Sequence, residues 1–113
     1  MSSLLVLRRA DRTVRDGEIW WELADAAASP DQPPAGTALT RRTANGATHV
    51  VSIAAVSTPD QDLLPRLVRD LIAALRRTDT SVISIRGGRA EIDAALLAED
   101  FVPAGDNLFV LHL

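Results

Sequence analysis

The chain has 113 residues, 47% hydrophobic and 24% charged, which suits one globular domain (residues 1–113) and indicates neither a disordered nor a membrane-embedded chain. It has no cysteine and only two histidines, His49 and His112, so disulfides and thiolate metal sites are excluded and no metal is expected. Its net charge of −3, with all 12 basic residues arginine, argues against nucleic acid as a partner.

In chain order, Leu4 to Arg9 (LLVLRR) reads as a first strand. Glu18 to Leu23 (EIWWEL) follows an Asp16-Gly17 turn, and its bulky side chains favour a second strand. The stretch Ala26 to Gly36 (AAASPDQPPAG) has three prolines and reads as a loop. Thr37 to Thr43 and His49 to Ser57 flank Asn45-Gly46, a hairpin signal because both turn residues accept positive φ. The run HVVSIAAVS is apolar almost throughout, as expected of a strand buried on both faces.

Leu63 to Arg77 is the strongest helical pattern. Leu64, Leu67, Val68, Leu71, Ile72 and Leu75 recur at helical spacing. Asp62 is the expected cap, which places Pro65 harmlessly in the first turn. Ser81 to Arg86 (SVISIR) is the next strand, Gly87-Gly88 a turn, and Arg89 to Glu99 a second helix whose faces are marked by Ile92, Ala95, Leu96 and Ala98 or Glu99. Phe101 to Ala104 and Leu108 to Leu113 close a mixed sheet with helices packed on it. No run reaches the length of a membrane span, and arginines interrupt the N-terminus where a secretion signal needs its apolar core, so a cytoplasmic protein off the membrane is expected. Arginine without lysine, with much alanine, reflects GC-rich coding and suggests a bacterial source.

Two fragments, AAVSTPD at Ala54 to Asp60 and ALLAEDFVPAG at Ala95 to Gly105, lie in a characteristic order around helix, strand and helix. From His49 to Leu113 this order resembles the GCN5-related N-acetyltransferases (GNAT), whose "lAVhPd" ends the central strand and whose "ALYEKLGFVPxG" precedes the last strands. The resemblance implies a mixed, mostly antiparallel sheet of six or seven strands with two main helices. It also implies acetyl-CoA or another acyl-CoA as cofactor, with the pantetheine arm along Ser52 to Ser57. Val56, Ser57, Arg66 and Arg89 fall at its cofactor-binding positions.

The chain departs from the family pattern at several points. The family holds the CoA diphosphate in a glycine-bearing loop at a helix N-terminus, where free N–H groups meet the phosphates. Here Asp60 to Arg66 (DQDLLPR) has no glycine, has two acids, and loses an N–H at Pro65. The family tyrosine that protonates the departing thiolate corresponds to Leu96, and the chain has no tyrosine at all. Arg89 replaces the asparagine that opens the second helix, and Asp100 replaces a glycine while tolerating a left-handed conformation. Only Arg9 to Gly17 separates the first two strands, too short for the family's two N-terminal helices.

His49, at the start of the central strand, is a candidate general base for an amine, though a lone strand-end histidine is more often solvated. Ser52, the polar residue inside VVSIAAV, either bonds the backbone or faces the groove of the acyl chain. Adjacent Trp20 and Trp21 must point to opposite faces, one into the core and the other either covering the sheet edge or serving a ligand groove or a dimer interface. Arg86 and Arg89 flank the Gly-Gly turn and are candidates for an anion, or simply exposed charges. Two functional readings follow: an acyl-CoA-dependent N-acyltransferase with an atypical cofactor loop, or a catalytically inactive module of the same fold that binds a small molecule or a protein. Both expect a homodimer, since a sheet without its covering helices exposes apolar surface.

Overall fold

The computed structural model describes residues 5–10, 12, 15–27, 31–45 and 48–113. Leu4 and the Gly46-Ala47 turn fall outside the described residues, as does the side chain of His49. Among the described residues, seven strands form one sheet: β1 (Leu5–Arg9), β2 (Glu18–Asp25), β3 (Gly36–Asn45), β4 (Thr48–Ser57), β5 (Val82–Arg86), β6 (Val102–Pro103) and β7 (Leu108–His112). Helix α1 (Leu64–Arg76) joins β4 to β5, and α2 (Ala90–Ala98) joins β5 to β6. The spatial order is β1-β2-β3-β4-β5-β7-β6, and of these neighbours only β4 and β5 run parallel. This is the mixed, mostly antiparallel architecture expected from the sequence, with the first two strands paired directly.

Both helices lie on the same face of the sheet, because one core joins α1 (Leu64, Val68, Leu71, Leu75) and α2 (Ile92, Leu96) to Val51, Ile53, Ile83, Ile85 and Phe109. All six apolar positions read from the helical spacing of α1 are buried. Each side chain of this kind contributes about 1.5–3 kcal/mol when fully removed from water. The cap differs from expectation. A 3₁₀ turn (Gln61–Leu63) precedes α1, and Asp60 caps it by accepting from the Asp62 N–H at 3.0 Å. Asp62 therefore donates backbone rather than capping with its side chain, while Pro65 does lie in the first turn of α1.

One expectation is overturned. β4 is not buried on both faces: Val51 and Ile53 are buried against the helices, whereas Ser52 is half-buried and Ala54, Ala55 and Ser57 are exposed. The register places Trp20, Leu39, Val50, Ser52, Val82, Ser84 and Val110 on the opposite face, where no described element packs. Asp100, at the end of α2, has φ 70°, the left-handed conformation that aspartate tolerates.

Candidate functional site

The site arises where two neighbouring strands part. β4 and β5 pair from Val50↔Val82 to Ile53↔Ile85 and no further, although β4 runs on to Ser57. The β5 side of Ala54 to Ser57 therefore has backbone groups without a strand partner. On the β3 side, Thr40 faces Ile53 while Leu39 faces Ala55, so Ala54 is the extra residue of a β-bulge. Such an insertion bends and twists the strand that carries it, which turns β4 away from β5 at this level. β5 itself stops because Gly87-Gly88 follows. The Gly87 N–H carries the β5–β7 register one step further, to the Asn107 carbonyl at 2.7 Å, and Gly88 then takes φ 121°, outside the strand range.

The parting strands frame a cavity of about 340 Å³ lined by Arg41, Ser52, Ile53, Ala54, Ala55, Val56, Ser84, Ile85, Arg86 and Leu108. Register puts Glu18, Arg41, Ser52 and Ser84 in one row across β2, β3, β4 and β5, on the uncovered face. Ser52 Oγ and Ser84 Oγ are 3.2 Å apart and form the polar floor. Arg41 sends both Nε (3.1 Å) and Nη2 (2.7 Å) to Glu18 Oε2. That hydrogen bonding, with a further one from the Arg15 backbone N–H, holds the Glu18 carboxyl below its usual range. Arg86 donates from Nη1 to the Asp106 carbonyl at 3.1 Å.

The candidates named from sequence are dispersed. Ser52 and Val56 line the cavity, and Ser57 ends β4 just beyond it. Trp21 is in the core, its Nε1 donating to Thr40 Oγ1 at 2.9 Å. Trp20 points to the uncovered face with Arg12 stacked 4.4 Å from its ring centroid. Arg66 is engaged elsewhere, with Nε on Asp70 at 2.9 Å and Nη2 on the Leu5 carbonyl at 2.7 Å. Arg89 is the exposed residue before α2 and makes no side-chain capping bond. Leu96 is completely buried in the core and does not line the cavity. Arg41 and Ser84 were not singled out by sequence reasoning. Ser84 carried the same signal as Ser52, a polar residue in an apolar strand, whereas Arg41 matters only through the register of β3.

Whether the start of α1 can cradle a diphosphate follows from where its N–H groups go. The Asp62 N–H goes to Asp60 Oδ1 and the Leu63 N–H to the Asp60 carbonyl at 3.0 Å. The Leu64 N–H goes to the Gln61 carbonyl, and Pro65 has none. The amides that would meet a diphosphate are consumed internally, and the exposed Asp60 and Asp62 carboxylates flank the place. The strand edge fits a pantetheine amide chain; the turn does not fit a diphosphate.

No protein-family model matches the sequence, and no curated protein resembles it in sequence. Solved structures do match in fold. TTHA1254 of Thermus thermophilus superposes with a TM-score of 0.58 at 19% identity, over 78% of this chain and 64% of that one. AtaTR bound with acetyl-CoA superposes with 0.58 at 10% identity, over 85% and 68%. The NatC complex bound to Gag peptide and CoA superposes with 0.63 at 14% identity, over 83% and 70%. The chain thus spans about two thirds of the length of these structures. Together with the helix-flanked parallel pair and its splay, these likenesses give the conclusion that the chain has a GNAT-like fold.

Proposed function

We propose that this chain is a compact N-acyltransferase that grips its thioester donor by the pantetheine arm and makes no use of the nucleotide. The observation that carries the reading is the parting of β4 from β5 at the Ala54 bulge, beside a cavity open to the uncovered face. The edge from Ala54 to Ser57 would pair with the amides of the arm, as one strand pairs with another. The bound thioester would supply an activated acyl group. An amine acceptor enters from the uncovered face and must arrive unprotonated, since no described residue lining the cavity is an acid, a histidine or a tyrosine. The acceptor's own pKa then sets the pH dependence, with the rate rising until the amine is deprotonated.

The second reading, a binding module without catalysis, is favoured by the lack of a base among the described lining residues together with the buried Leu96. Calorimetry with acetyl-CoA and with S-acetylpantetheine tests the donor. The two affinities should agree within about threefold, because none of the charge-assisted bonds worth ~1.5–3 kcal/mol each reaches the diphosphate. No binding of either at millimolar concentration sinks the acyltransferase reading and leaves the binding module, and a large advantage for acetyl-CoA sinks the proposed mode. Thiol release in the presence of small amines separates catalysis from binding alone.

A further inference from the structure

We infer that the cavity is a carboxylate-recognition site, in which Arg86 and the Ser52–Ser84 hydroxyl pair hold the acid group of a small amine. That this amine is an acyl acceptor rests on the proposed function; the carboxylate site stands on the cavity alone.

Charge accounting is the first ground. Two cations line the cavity, and no described acid does. Arg41 is neutralised by Glu18, whose carboxylate takes two of its hydrogen bonds on one oxygen. Arg86 makes no ion pair among the described residues; its one contact is to the backbone carbonyl of Asp106, which orients the guanidinium without cancelling its charge. A guanidinium has five N–H donors in a planar fork, so most of them remain available to a carboxylate. The cavity therefore presents one uncompensated positive charge.

Donor accounting is the second ground. Ser52 and Ser84 have one O–H each, and at 3.2 Å one of them donates to the other. The second O–H remains to be donated into the cavity. Ser84 and Arg86 are two residues apart on the same face of β5, so their Cα atoms are ~7 Å apart along the strand. An arginine side chain is long enough to span that interval on turning from the Asp106 carbonyl, where its Nη1 rests. One carboxylate oxygen can then meet the guanidinium while the other meets the serine hydroxyl, a short and charge-assisted arrangement.

Size and polarity limit the rest of the ligand. About 340 Å³ lies at the low end for small-molecule sites, and Ala55, Val56 and Leu108 make the remaining wall apolar. A short aliphatic amino acid has the required parts: a carboxylate, an amine next to it and a small apolar side chain. Fixing the carboxylate would also aim the amine, which supplies orientation to a site with no base among its described lining residues.

The experiment uses leucine, leucinamide and 3-methylbutylamine, which share a side chain and differ at the carboxyl position. Binding is followed through the amide resonances of Ser52, Ser84 and Arg86, on the protein alone and with S-acetylpantetheine. Leucine should bind about tenfold more tightly than the other two. The exposed substitution Arg86→Gln should abolish that preference, while Arg77→Gln at the far end of α1 should preserve it. Equal binding of the three compounds, no binding, shifts away from these residues, or a preference that survives Arg86→Gln overturns the inference. Preference for leucine without thioester binding would uphold the carboxylate site and refute the acyltransferase reading. Thioester binding without the preference would refute the carboxylate site and leave the proposed donor mode standing.

Discussion

Glu18 shows how one side chain sets the character of the cavity from its margin. Its side chain is only 7% exposed, and both Arg41 donors converge on one of its oxygens while the Arg15 N–H reaches the other at 3.1 Å. These bonds, Arg41's foremost, favour the ionised form and depress the carboxyl pKa from its usual 4.5. The unfolded chain then binds the proton more readily than the folded one. The resulting stabilisation is fully present above the unfolded value and is lost as pH falls through the depressed folded value. Glu18→Gln should therefore lower the urea midpoint at neutral pH, and the gap to the parent protein should close on acidification below about pH 4.5. A gap that stays constant over that range would show that the carboxylate charge contributes nothing. The other instructive residue is Leu96. Its position relative to Phe101 was legible from the sequence, including the lost tyrosine. Its complete enclosure was not legible, because a leucine on a helix reads the same whether it faces a cleft or a core.

The element that decides where β5 ends is the Gly87-Gly88 connection into α2. A Cβ on Gly87 would run into the Asp93 carboxylate and would approach the Phe109 ring at 2.8 Å. The same Asp93 Oδ1 accepts from the Gly88 N–H at 2.9 Å, fixing α2 against the turn. Gly87→Ala should cost about 1–3 kcal/mol through this overpacking, measured by urea unfolding. Because the collision is with one named group, Asp93→Ala in the same chain should cost less than the sum of the two single changes. Strict additivity would place the cost elsewhere, in the backbone or at Phe109. The Gly-Gly turn itself was readable from the sequence, as were both helices and the strand order along the chain. Those features are encoded by local spacing and by residues that tolerate special φ values. The Ala54 bulge was not readable. It exists only relative to Leu39 and Thr40 on the neighbouring strand, and Ala-Ala inside an apolar run has no signature of its own. The same holds for burial of β4. An apolar strand predicts two covered faces, but both helices pack on one side, and the short connection between β1 and β2 supplies no described element to the other.

At the scale of the whole molecule, the uncovered face is where the proposed chemistry and any self-association compete. Apolar side chains at Trp20, Leu39, Val50, Val82 and Val110 lie on it, and the Trp20 Nε1 is buried with no acceptor among the described residues. Charges on its β1–β3 half alternate, with Arg8 opposite Glu22 and Glu18 opposite Arg41. A second copy related by a twofold axis can set acid against base there while covering the apolar rows, so a homodimer through this face is the proposed assembly. From the same face Arg41, Ser52, Ser84 and Arg86 line the cavity. Ligand and partner are then linked: whatever binds only the open monomer pulls the equilibrium away from the dimer by mass action. Light scattering over a concentration series should find a dimer, and S-acetylpantetheine together with a small amino acid should lower the average mass. A dimer whose mass ignores those ligands would lie on another surface and leave the cavity free. A monomer at every concentration would remove the second copy as the cover for this face.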